Sequence, residues 1–316
     1  MTTEHEVRAA PRGQRILRGA RLIFTPLSFL VIAFVIWQAR ASIAEMVRGG
    51  VWQYLLFALL LWVLSNVIAP LVSVQIFRAG GAMLAYRVAL HIHASRLPAK
   101  YLPGGIWHSV GRANDYLELG YGMRQVGRYF MIENFLIIAT TLTLSAGIVA
   151  PLVTLPELRL ILRWGPLLLG AALLVFPALL LLLTHGRERI GVAAYLGGVG
   201  ASCAYWLVVG LAFATYIAAF HELGLATDVV QTAAVYIFSW CFGYLALFAP
   251  QGIGVSELIS GYLLADDRRA VLLLFLLGFR LLVLAGDLVS WGLALVLRWQ
   301  WKGWIGRKHP LAEKQG

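Results

Sequence analysis

Ionisable side chains set inside long apolar runs are the residues of this chain with chemistry to do. Arg280 and Asp287 lie in the last such run, Glu133 with Asn134 just inside an earlier one, and Glu257 just past a Pro-Gly interruption. A charge at the centre of a bilayer costs ~2.5–3.5 kcal/mol on insertion scales, so these groups should face inward rather than lipid. Arg280 and Asp287 stand two helical turns apart on one face, too far for a tight pair, so each needs a partner from another helix. Glu257 is the expected partner of Arg280, either as structural glue or as part of a substrate site.

Two interruptions carry the other candidates. The first reads Tyr101-Leu102-Pro103-Gly104-Gly105-Ile106-Trp107-His108, and the second Pro250-Gln251-Gly252-Ile253-Gly254-Val255-Ser256-Glu257. Pro and Gly break a helix there. If a helix restarts near Ile106, then His108, Arg112, Asp115 and Leu119 share a stripe with Glu118 beside it, and that stripe needs a polar surface to face. Irregular backbone at membrane depth survives only inside protein or beside a water-filled cavity. Paired broken segments point to a transporter's binding site. A helix restarting after each Gly cluster would offer unpaired N–H groups to an anion, most simply a phosphate. The rival reading of each motif is a sharp turn and nothing more.

The elements that must position these residues are membrane helices. The chain has 316 residues, 60% hydrophobic and 13% charged, with mean hydropathy +0.78. Soluble domains run near ~45–50% apolar and ~25% charged. Apolar runs are expected at 21–38, 51–74, 129–153, 164–184, 190–220, 229–249 and 270–297, and a short broken crossing at 252–264 makes about eight spans. The excess of 26 Lys+Arg over 15 Asp+Glu clusters beside these runs, so it reads as positive-inside topology and not as a nucleic-acid surface. Basic 1–20, the 82–128 segment, the 185–189 loop and the aromatic-basic tail 299–316 are therefore expected in the cytoplasm, with the spans in the inner membrane. Small-x-small Ala39-Arg40-Ala41 follows a run too long for a signal peptide. The 82–97 stretch, with Met83, Tyr86, Leu90 and Leu97 against Arg87, His91 and Arg96, suits an interfacial amphipathic helix.

The expected fold is thus an all-α integral membrane protein, 21–298, with re-entrant or broken segments at 82–128 and 249–265. An internal repeat, parallel or inverted, is left open. No cofactor or metal is expected: His91 and His93 point different ways on a helix and have no acid or Cys at ligand spacing. Cys203 and Cys241, inside apolar runs, read as packing residues. No P-loop, Rossmann glycine pattern, nucleophile elbow or H-E-x-x-H occurs.

Through both Pro-Gly motifs and Gly111-Arg112, within a layout of about eight spans, the chain resembles the lysylphosphatidylglycerol synthase transmembrane region, or flippase-like, family. That family commonly has Pro-Gly-Lys at the first motif and Pro-Gly-Gly-Leu-Gly-Val-x-Glu at the second. Here Gly105 replaces the lysine and Gln251 the first glycine, which removes a direct lysine–phosphate contact. The resemblance implies lipid translocation. The residues after 298 are too few for the aminoacyltransferase domain of the synthases.

Three functions follow as expectations. The first is a transporter or flippase for an anionic phospholipid or a polyprenyl-phosphate-linked glycan. Its binding residues would be Pro103, Gly104, Gly105, Trp107, His108, Arg112, Asp115, Glu118, Pro250, Gln251, Gly252, Gly254, Ser256, Glu257, Arg280 and Asp287. Glu257 and Asp287 would hold the two arginines. With no ATP-binding motif, movement would be downhill or coupled to protons through Glu257 or Asp287. The second is a membrane enzyme using His108 with Asp115 or Glu118 as acid and base. The third is a non-catalytic partner of an envelope glycosyltransferase, in which Gly197, Gly198 and Gly200 pack helices within the chain or in a homo-oligomer.

Overall fold

A polypeptide this apolar must satisfy its backbone internally, and the computed structural model does so with helices alone: no strand occurs among the described residues. These are 51–101, 106–183, 190–220, 228–246, 252, 254–264 and 269–305. The expected first span, the basic N-terminus and residues 306–316 lie outside them, as do Pro103, Gly104, Gly105, Pro250 and Gln251.

The elements are α1 (Trp52–Ala79), α2 (Tyr86–Arg96), a 3-10 turn (Leu97–Tyr101), α3 (Trp107–Glu118), α4 (Met123–Val149) and α5 (Pro156–Leu183). They continue as α6 (Val192–Ala218), α7 (Val229–Leu245), α8 (Val255–Leu264) and α9 (Arg269–Ile305). Five of them, α1, α4, α5, α6 and α9, are long and apolar enough to cross a membrane. At ~1.5 Å per residue α7 reaches roughly 25 Å and α8 roughly 15 Å, so α8 cannot cross a ~30 Å core alone.

Helix α1 runs antiparallel to α6. The Gly191 amide donates to the Ala79 carbonyl at 2.8 Å at one end, here called proximal, and Trp62 packs with Trp206, Val209 and Phe213 further along. Helix α4 runs alongside α6, with Thr140 bonded to Ser202 at 2.9 Å. Helix α9 descends from the distal end, where the Phe275 ring packs at a tilt against Phe220. Near the proximal end Ala294 meets Ala94 and Leu97.

Helices α7 and α8 form a short antiparallel hairpin. Ser256 touches Gly243 near its tip, while Leu263 packs back toward Ala234 and Val235. Tyr262 meets Thr154 at the distal end, so α8 returns to the side from which α7 came. The hairpin tip requires glycine. Gly252 has φ +67°, and a Cβ there would lie 2.4 Å from the Gly243 Cα.

Several boundaries differ from expectation. Helix α4 begins at Gly122, whose amide donates to the Gln125 side chain at 3.0 Å, so it carries Arg124 and Arg128 and puts Glu133 well inside rather than just past the entrance. Helix α5 starts at Pro156, a residue suited to a first helical position. Helix α9 continues to Ile305, across the expected boundary at 298, because no helix breaker intervenes. On α2 the buried side is Ala89, Ile92, His93 and Ala94, with Met83 67% exposed before the helix begins. Small alanines allow close approach to neighbouring helices, which large residues on the expected face would not.

Candidate functional site: a chain of buried charges

The turn after α2 delivers Lys100 and Tyr101 to α9. The Tyr101 hydroxyl donates to Asp287 Oδ2 at 3.0 Å and Lys100 Nζ lies 3.4 Å from the same oxygen. From α1, Trp62 Nε1 and Asn66 Nδ2 each donate to Asp287 Oδ1 at 2.9 Å. Asp287 is 1% exposed, and four donors from two other elements compensate its desolvation. Burial and the adjacent Asp287 carboxylate hold the Tyr101 phenol well above its ordinary pKa, so it remains a donor. Gly286 makes this packing feasible, since a Cβ there would meet Trp62 at 2.5 Å.

Two turns away on α9, Arg280 Nε donates to Glu257 Oε1 and its Nη2 to Ser256 Oγ at 2.8 Å. Glu257 also accepts from the Gly254 amide at 2.8 Å and from Ser256 Oγ at 3.0 Å. The expected Glu257–Arg280 pair is therefore present. At the second motif the Gly254 amide is taken by the chain's own Glu257 carboxylate, which also pairs with Arg280.

The third pair lies between α3 and α4. Arg112 donates to Glu133 Oε1 at 2.7 Å and to Ser73 Oγ at 3.1 Å, contacts the Tyr129 hydroxyl, and sits 5.5 Å over the Tyr129 and Phe130 rings. Arg112 and Glu133 are 5% and 8% exposed, so Glu133 is buried and not solvated at an interface. These acceptors offset the desolvation of the buried guanidinium, whose Nε has no partner. Tyr205 of α6 lies within electrostatic range of both Asp287 and Glu133, and Tyr236 of α7 within range of Arg280, Glu257 and Asp287. Tyr244 bonds to Asn134. Tyr205 and Tyr236 thus lie within electrostatic reach of members of all three ion pairs.

Other expectations are corrected. The α3 stripe does not share one surface: Arg112 turns inward, Asp115 pairs with Arg96 of α2, and exposed Glu118 accepts from Asn114 at 2.6 Å. The twelve-residue helix is short enough that neighbours on three sides divide its polar residues among them. His108 faces His93, with ring centroids 5.5 Å apart, rather than Asp115 or Glu118. Asp287 holds Lys100 and Tyr101 rather than an arginine, because α9 turns that face to α1 and the 97–101 turn. Gly197 and Gly198 pack against Gln75 within the chain, and no atom lies within 4 Å of a Cβ at Gly200.

Trp107 is half-buried beside His108. No group of three or more His, Cys, Asp or Glu suited to a metal occurs among the described residues. A cavity of about 500 Å³ opens at the proximal end, lined by Gln75, Arg78, Gly197 and the start of α6; none of the sequence-predicted site residues lines it.

Lys100, Tyr101, Trp62, Asn66 and His93 are the site residues that sequence reasoning did not rank. Asn66 in the middle of an apolar run, and Lys100-Tyr101 abutting the first Pro-Gly motif, are the signals that could have found them.

No family model matches the chain, and no curated protein does.

Proposed function

We propose that this protein is a multi-pass transporter of the flippase-like kind, moving an anionic phospholipid or a polyprenyl-phosphate-linked envelope intermediate across the inner membrane, with about eight spans and both termini in the cytoplasm. The observation that carries the reading is convergence on α9. The flank of the first break reaches Asp287 and the flank of the second reaches Arg280, two turns apart on one helix. Segments interrupted at depth and meeting on one helix are the arrangement in which a polar headgroup finds partners away from lipid.

Ion pairs exchange partners at low cost when the replacement has the same charge. A phosphate arriving beside Lys100, the longest contact of Asp287, takes over that cation while Trp62, Asn66 and Tyr101 keep the carboxylate satisfied. A headgroup nearer the second break competes with Glu257 for Arg280, whose side chain is 25% exposed against 8% for Glu257. The resemblance of the two Pro-Gly motifs to the flippase-like family supports the same substrate class. The enzyme reading lacks support from the acid–base groups named for it, since Asp115 and Glu118 bond elsewhere.

The test is reconstitution into liposomes with fluorescent phosphatidylglycerol, phosphatidylcholine and a polyprenyl phosphate, following quenching by a membrane-impermeant reductant. Protein-dependent loss of the protected fraction for an anionic lipid, slowed at least tenfold in Lys100→Met and Glu257→Gln, is expected. Absence of scrambling across the panel would overturn the reading in favour of a non-catalytic partner of an envelope glycosyltransferase. The buried ion pair of Arg112 with Glu133 is the feature that favours that second reading.

A further inference from the structure

Among the buried polar atoms of the described residues that lack a hydrogen-bond partner, two belong to facing imidazoles. His93 on α2 and His108 in the first turn of α3 meet edge to face, ring centroids 5.5 Å apart and planes at 87°. His93 is buried and His108 half-buried, and Nε2 of each is a buried atom without a hydrogen-bond partner. A buried unmet nitrogen costs ~1–3 kcal/mol, so two of them side by side call for an occupant.

The surroundings define its chemistry. Helix α3 has twelve residues and its N-cap, Ile106, supplies no side-chain cap, so first-turn N–H groups and the positive helix end sit beside His108. The His93 backbone lies within hydrogen-bonding reach of the His108 ring. With Nε2 unpartnered, Nδ1 is the ring nitrogen left to donate there, which puts the lone pair on Nε2. The charged groups around the pair are Lys100 of the 97–101 turn, which has Asp287 of α9, and Arg112 of α3, which has Glu133 of α4 and Ser73 of α1. Arg96 and Asp115 of α2 and α3 are paired with each other.

Each nearby cation therefore already has its acid. An oxyanion that binds here and leaves those ion pairs intact draws its charge from the histidines, and a lone pair at Nε2 repels an anion until a proton occupies it. We propose that His93 and His108 form a proton-coupled oxyanion site, in which a phosphate-type group binds at the start of α3 as one imidazole Nε2 takes a proton from water. The inference rests on the transport reading for its biological role and names the coupling that reading leaves open. Burial, then Lys100 and then Arg112 hold the His93 pKa well below the ordinary imidazole value, and burial with Arg112 and Lys100 does so for His108. Both shifts favour the neutral imidazoles, and an anion beside them raises their proton affinity.

The experiment uses the full chain in detergent micelles. Titration calorimetry with sodium sulfate, which does not itself titrate near neutrality, is run at pH 7 in two buffers of different ionisation heat. The expected result is uptake of about one proton per sulfate bound, with affinity rising about tenfold per unit fall in pH across the coupled range. Uptake is lost in His93→Gln and His108→Gln and kept in His91→Gln. Sulfate binding without proton uptake, uptake that survives in the double variant, or no binding at pH 6 would each overturn the proposal. The wild-type buffer dependence decides it even where a variant fails to fold.

Competition separates the sources of the anion. Displacement of sulfate by phosphatidylglycerol in nanodiscs supports a lipid headgroup, and displacement by inorganic phosphate alone supports a soluble one. Proton uptake without lipid scrambling would defeat the transport reading and leave this site standing. Scrambling without uptake would do the reverse.

Discussion

Tyr101 and Asp287, far apart in sequence, meet through a 3.0 Å hydrogen bond that ties the start of the first Pro-Gly motif to the middle of the last helix. Trp62 and Asn66 hold the carboxylate's other oxygen, so Asp287 fixes α1, the 97–101 turn and α9 together.

Removing this acid should cost more than removing any one donor. Asp287→Ala strands Lys100, Trp62 and Asn66 and is expected to destabilise by about 3–5 kcal/mol, the range for breaking a buried charge network. Tyr101→Phe should cost about 1–2 kcal/mol. Thermal unfolding in detergent checks the order; equal losses would contradict the network.

The Glu257–Arg280 pair should respond to charge but not to size. Glu257→Gln leaves Arg280 without its acid and is expected to lower stability by about 2–4 kcal/mol. A double Glu257→Gln, Arg280→Met variant should recover at least half of that loss. A double-mutant cycle with no coupling energy would contradict the contact.

Gly252→Ala should be among the most damaging small changes in the chain. Both the positive φ and the backbone of Gly243 oppose a Cβ, and the latter cannot move aside as a side-chain tip could. A loss above about 2 kcal/mol, or failure to accumulate in the membrane, is expected, whereas Gly200→Ala should be tolerated.

The histidine pair makes stability depend on pH with a defined sign. Because the folded state holds both imidazoles below their unfolded values, the unfolded chain binds more protons, so stability rises with pH. The melting temperature should therefore fall as pH drops below about 6.5, and the His93→Gln, His108→Gln double variant should flatten that slope. Added sulfate should flatten it as well, by compensating the protonated pair. An identical slope in the double variant would contradict the assignment.

Much of the architecture is legible from apolar run length, because each span must satisfy its backbone alone, and Arg280 was assigned Glu257 on the cost of a lone buried charge. Helix ends were less legible: nothing in an apolar count reveals that α4 begins at Gly122 or that α9 runs to Ile305. Partners of Asp287 were not legible either, since Trp62 and Asn66 become neighbours only when α1 packs on α9. The α3 stripe failed for a related reason. Periodicity gives the direction of Arg112 and Asp115 from their own helix but not which helix stands opposite, and here α4 claims one and α2 the other.

The central claim is that an anionic headgroup passes between the two breaks where they converge on α9. Photocrosslinking in proteoliposomes with a phosphatidylglycerol bearing a diazirine near its phosphate tests it most directly. Adducts on peptides containing Tyr101 and Ser256, competed by unlabelled phosphatidylglycerol and reduced in Lys100→Met, are the predicted result. Adducts confined to the lipid-facing side of α5, around Leu167 and Leu168, with none at either break, would contradict the account.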